Sequence, residues 1–185
     1  MRDKFWKTFV LASGNYAPWL RDKGSLTARI QQRCETFSVQ TLYSKQMSAA
    51  YDETALLELP NNQKIFTREV YLYADSKPVV FAHSVVKTQH LRGVWCKLKN
   101  LGTRPLGAVL FAHPMVHRAP LHYYALKSHH VLYRRAVENL GIAPPKLWAR
   151  RSVFTLYGAP LLVTEVFLPN ILTLPNKSLK MISVK

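Results

Sequence analysis

Two charged residues stand where apolar ones dominate. If residues 65–74 alternate as a strand, Arg68, Val70, Leu72 and Ala74 share one face, and Thr67, Glu69, Tyr71 and Tyr73 share the other. If 161–168 alternates too, Leu161, Val163, Glu165 and Phe167 share a face. Each strand then sets one charge on an apolar face. Taking a charge out of water costs several kcal/mol unless it is paired. Three readings follow: a buried Arg68–Glu165 bridge, a register pointing both outward, or a site where both meet a ligand. The last implies a definite chemistry. An arginine offers a planar fork that matches a carboxylate in two parallel hydrogen bonds. A glutamate accepts from a hydroxyl, and apolar residues between the two suit a six-membered ring. The ligand class is a small hydroxylated cyclic acid.

Other constellations are weaker. His113 and His117 have helical metal spacing, but Pro114 lies between them and no carboxylate is close. His129 and His130, beside Tyr133, Arg134 and Arg135, read as a solvated basic face. There is no glycine-rich phosphate loop and no Gly-x-Ser-x-Gly elbow, and Ser84 and Ser152 have no base within their motifs. Nucleophilic catalysis has no support.

The elements that must position Arg68 and Glu165 follow from pattern. Residues 18–34 read as a short helical region, with Leu26, Ile30 and Cys34 on one face and Ser25 as its cap. Residues 35–52 alternate as a strand, and 53–63 form a loop. Ile65–Ala74, a turn at 75–78 and Val79–Val86 form an antiparallel hairpin. Ser152–Tyr157, Gly158-Ala159 and Pro160–Leu168 form a second. Between them the pattern predicts a short helix from Leu106 to Phe111 and a longer one from about Leu121 to Leu140. The class is α+β, a single domain over residues 1–185 with an antiparallel sheet and helices packed around it.

Composition agrees. The 185 residues are 48% apolar and 19% charged, which excludes a disordered chain. Net charge is +16, unevenly placed. Residues 1–75 hold ten Lys/Arg against eight Asp/Glu, a net of +2. Residues 76–185 hold sixteen against Glu138 and Glu165 alone, a net of +14. Anionic partners are favoured. Cys34 and Cys96 form no disulfide framework, so a reducing cytoplasm is expected. Phe9–Ala12 is too short for a signal-peptide core, and no apolar run spans a membrane.

Four segments carry a resemblance. TREVYLYADSKPVVFAHSVV (67–86), LGTRPLGAVLF (101–111), LWARRSVF (147–154) and GAPLLVTEVFLPN (158–170) together resemble the chorismate pyruvate-lyase family of bacterial ubiquinone synthesis. The likeness runs from about Trp19 to Asn170, leaving 171–185 as an extension. It implies a buried ligand cavity, no metal, no organic cofactor, and conversion of chorismate to 4-hydroxybenzoate and pyruvate. By position, it implies that Arg68 binds the ring carboxylate, helped by the backbone N–H groups of Leu26 (in GSLTARI) and Leu106 (in RPLG). Glu165 would accept from the 4-hydroxyl and polarise C4, which makes Glu165 and Arg68 the expected catalytic residues. The family has an arginine where this chain has His83. His83 shares a face with Val79, Phe81 and Val85 and is expected to line the cavity, a hydrogen-bonded core histidine being the other reading. A structural or substrate-entry role, rather than direct chemistry, is expected for Arg150 and Arg151. The chain is expected to be a monomer whose partner is chorismate, with no nucleic acid and at most weak contact with anionic surfaces. The rival is a non-catalytic small-acid-binding module of related fold that contacts nucleic acid through its basic face.

Overall fold

A computed structural model describes residues 5–60, 63–141 and 143–176. In chain order the elements are α1 (Ala17–Arg21), α2 (Leu26–Gln31), β1 (Phe37–Ser48), α3 (Tyr51–Thr54), β2 (Lys64–Ala74), β3 (Lys77–Lys87), α4 (Leu106–Ala112), β4 (His117–Arg118), β5 (His122–Leu126), α5 (Val131–Val137), β6 (Leu147–Leu156) and β7 (Ala159–Phe167). The strands form one antiparallel sheet in the order β1-β2-β3-β7-β6-β4, with β5 also pairing with β6.

Both long hairpins turn through two residues with positive φ, Asp75 and Ser76 in one, Tyr157 and Gly158 in the other. That backbone twist matches the twist of the flanking strands. The second hairpin keeps the register of its turn, while the first shifts by one residue beyond the Tyr73–Pro78 pair, so that Leu72 lies opposite Val80. Asp75 Oδ1 also accepts the amides of Glu35 and Thr36, both at 2.9 Å, tying the first turn to the start of β1. Ser25 caps α2 as expected, its Oγ accepting from the Ala28 amide at 3.3 Å.

The helix expected over 121–140 is a strand followed by a short helix. His122–Leu126 pairs with Leu147–Arg151 along the edge of β6, and α5 begins only after His130, whose Nδ1 accepts from the Leu132 amide. Edge hydrogen bonding decided what an ambiguous apolar spacing could not. β6 likewise starts at Leu147, earlier than expected, and α3 lies inside the segment read as strand end and loop.

The sheet has two covered faces. On the front, Trp19, Leu20, Leu26 and Ile30 pack with Val39, Val70 and Leu72. A second front cluster joins Leu106 and Leu110 to Phe66, Phe154 and Leu161. On the back, Leu132, Tyr133 and Ala136 cover Tyr71, Phe81 and Val166, and Leu57 covers Ile65, Val85 and Leu162. The two front clusters meet along a seam under α2 and α4. Beyond β7, a single helical turn at Pro169–Thr173 buries Ile171 and ties Asn170 Nδ2 to the Pro78 carbonyl.

Candidate active site

Register sets the geometry. Arg68 lies opposite Ser84, and Ser84 opposite Val163; in the next front-facing row, Val70, Ala82, Glu165 and Arg150 succeed one another across four strands. Arg68 and Glu165 therefore share the front face, two strands apart and one row offset. With ~4.8 Å between strands and ~3.3 Å rise per residue, their Cα atoms lie roughly 12 Å apart. A cavity fills the space between, walled by Val70, Ala82 and Val163 and roofed by Leu26 and Leu106. It is the seam between the two front clusters.

The roof closes because Gly107 has no side chain. A Cβ there would stand 3.0 Å from Thr27 Oγ1 and 3.5 Å from Ser25 Oγ, so glycine lets the starts of α2 and α4 meet. Leu26 and Leu106 are each the first residue of their helix, where an amide N–H has no intrahelical acceptor.

Arg68 is only 3% exposed. Its Nη2 donates to the carbonyls of Gly102 (2.8 Å) and Arg104 (3.2 Å), while Nε and Nη1 have no hydrogen bond among the described residues. No carboxylate of the described residues pairs with it, and burial lowers its guanidinium to about 10. A buried cation aimed into a cavity without a counter-ion is a poor stabiliser and a good anion receptor.

Glu165 is held differently. Arg150 Nε donates to its Oε2 at 2.5 Å. Arg150 Nη1 donates to the carbonyls of Trp19 (2.9 Å), Leu20 (3.4 Å) and Asp22 (2.6 Å). The Arg68–Glu165 bridge considered from the sequence does not form. Arg150 neutralises Glu165 and fastens α1 beside it, leaving Oε1 able to accept from a ligand. The signal for Arg150 was present in the sequence, since the second hairpin places it directly opposite Glu165.

His83 does not line this cavity. Arg68 pairs with Ser84, so Ala82 and Ser84 face front and His83 faces back, opposite Glu69. There it is a satisfied core histidine: Nε2 meets Glu53 Oε1 at 2.6 Å and Nδ1 meets Glu69 Oε1 at 2.8 Å. Burial alone would lower its pKa, but the two carboxylates raise it to about 9. Burial also pushes Glu53 and Glu69 upward, yet both end below their ordinary range through the His83 bond and charge and through Arg135, which pairs with Glu69. Arg135, read as part of a solvated face, is thus a back-face clamp. Arg151 faces back as well, bonding Asp52 at 3.0 Å and stacking on Trp6. Sequence reading also missed Arg118, which lines the front cavity from β4. Among the described residues no three His, Cys, Asp or Glu side chains gather as a metal set.

The model of the family described as chorismate lyase matches residues 9–176. The chain belongs to the chorismate lyase family. A relative from Nitrosospira multiformis, named "Probable chorismate pyruvate-lyase", is 50% identical over 157 residues, 84% of this chain and 87% of the relative. One of the same name from Methylobacillus flagellatus is 42% identical over 95% of this chain and 98% of its own length. Among solved structures, the ligand-binding domain of a GntR-family transcriptional regulator from Bordetella bronchiseptica aligns with TM-score 0.54 and 18% identity, covering 73% of this chain and 86% of that one. The effector domain of PhnF from Mycobacterium smegmatis aligns with TM-score 0.54 and 13% identity, over 80% and 90%. These two share the fold. The chorismate lyase family match reaches past Asn170 to Asn176, so the helical turn after β7 lies within it.

Proposed function

We propose that the protein is a lyase that converts chorismate to 4-hydroxybenzoate and pyruvate and so supplies the aromatic acid for ubiquinone synthesis. The observation that carries the reading is the uncompensated Arg68 guanidinium at one end of an apolar cavity whose other end is Glu165. Arg68 grips the ring carboxylate, and the amides of Leu26 and Leu106 close over it. Glu165, its Oε2 fixed by Arg150, accepts the 4-hydroxyl through Oε1. In the reaction the C3–O bond to the enolpyruvyl group breaks and C4 loses its hydrogen. The enolpyruvyl methylene gains a hydrogen and becomes the pyruvate methyl, so the step balances. Aromatisation drives the step, so the protein acts by fixing conformation and stabilising developing charge.

No helix among the described residues is long and apolar enough to cross a membrane. We place the reaction in the cytoplasm and the protein there as a monomer, with chorismate rather than nucleic acid as its partner. Incubation with chorismate tests the activity: 4-hydroxybenzoate absorbance and stoichiometric pyruvate are expected. Binding of 4-hydroxybenzoate with no turnover at micromolar enzyme would instead favour a sensing module, the role for which the shared regulator fold gives a precedent.

A further inference from the structure

The charge count around the cavity points to a second anionic subsite. Arg150 neutralises Glu165, while Arg68 has no counter-ion among the described residues. One further cation lines the cavity, Arg118 on β4. It lies over the Phe154 ring, 5.2 Å from guanidinium carbon to centroid, and 5.5 Å from Phe111. Its Nη1 donates to the Lys23 carbonyl at 2.8 Å, and its Nε is buried without a hydrogen-bond partner. No carboxylate of the described residues forms an ion pair with it. Burial lowers its guanidinium pKa, an effect opposed in part by the nearby charge of Glu165. Arg118 and Arg150 reach consecutive carbonyls of one loop, Lys23 and Asp22, which sets the Arg118 guanidinium at the Glu165 end of the cavity and away from Arg68.

We propose that Arg118 anchors the second carboxylate of the substrate, the one on the enolpyruvyl group. This rests on the lyase reading above and deepens it. Two uncompensated cations match a dianion. The position matches as well: C3, which bears the enolpyruvyl ether, is next to C4, whose hydroxyl meets Glu165, and is remote from the C1 carboxylate held by Arg68. A guanidinium beside Glu165 can hold the side chain in place while its C3–O bond breaks. It loses its anion when pyruvate leaves, whereas Arg68 keeps the carboxylate of the aromatic product. Arg118 therefore discriminates substrate from product, which Arg68 cannot.

The test compares Arg118→Gln and Arg118→Lys with wild type for chorismate kcat/KM and for 4-hydroxybenzoate affinity by calorimetry. A charge-assisted bond at a desolvated site predicts a loss of about 10- to 100-fold in kcat/KM for Arg118→Gln, with partial recovery in Arg118→Lys. The 4-hydroxybenzoate Kd should stay within about twofold, because the product has no second carboxylate. Parallel loss of both would show that Arg118 only props the roof through Lys23 and would overturn the proposal, as would loss of neither. Failure of wild type to turn over chorismate would sink the activity reading instead. The proposal would then stand or fall on whether Arg118→Gln weakens binding of chorismate more than of 4-hydroxybenzoate.

Discussion

Replacing Arg68 by Met separates a functional arginine from a structural one. Burial lowers the Arg68 guanidinium to about 10 in the folded protein. Keeping the charge buried therefore costs on the order of 3 kcal/mol. Against this stand two bonds to the Gly102 and Arg104 carbonyls, at ~0.5–1.5 kcal/mol each. The two contributions nearly cancel, and a Met side chain suits walls of Val70 and Leu72. Urea unfolding of Arg68→Met should therefore give a stability within ~1 kcal/mol of wild type, on either side. Binding should behave otherwise. Loss of a bidentate, charge-assisted anchor weakens 4-hydroxybenzoate by ~1.5–3 kcal/mol, about 10- to 150-fold in Kd. Arg68→Lys should recover only part, since an ammonium lacks the fork. A destabilisation above ~3 kcal/mol, the loss typical of a broken buried pair, would show that an anionic partner had been overlooked. An unchanged Kd would remove Arg68 from the site.

Glu165→Gln leaves Arg150 buried without its carboxylate, so it should cost ~2–3 kcal/mol of stability and lower kcat more than it changes KM, by steady-state kinetics and urea unfolding. The Glu53–His83–Glu69 cluster sets a pH window. His83, raised to about 9 in the fold, contributes stability that is full below its unfolded value of 6.5 and is lost as pH rises through 9, roughly 3 kcal/mol in all. The lowered Glu53 and Glu69 contribute stability that is present above 4.5 and is lost as pH falls through their folded values. Urea midpoints should therefore decline on both sides of a plateau between these limits, and His83→Met should abolish the alkaline slope; a flat wild-type profile from pH 6.5 to 9 would contradict the cluster. Gly107→Ala adds helix propensity worth up to ~1 kcal/mol but crowds Thr27, so stability should hardly move while 4-hydroxybenzoate affinity falls several-fold as the roof parts. Unchanged affinity would show that the α2–α4 contact does not close the site.

The α+β class, both hairpins, the Ser25 cap and the α4 start were legible because each depends on neighbours in sequence: a turn, a cap, a period of two. The same locality exposed Arg68 and Glu165, since a charge on an apolar strand face is visible without a fold. Relations across strands were decided elsewhere. The sequence of β3 alone does not say which face of β2 His83 joins: the register set at the Asp75-Ser76 turn would place it opposite Arg68, and a one-residue shift between Tyr73 and Leu72 places it behind the sheet, opposite Glu69. Residues 122–126 became a strand because β6 offered an open edge, a partner more than twenty residues away. The hold of Arg150 on the Trp19 and Asp22 carbonyls, and the parts of Arg118 and the 102–104 carbonyls, arose only when α1, β4 and the loop before α4 converged on one seam. Sequence determines which residues are out of place on a face. The choice of counter-ion for each depends on packing and desolvation, and only the tertiary structure decided that Glu165 has one and that Arg68 has none among the described residues.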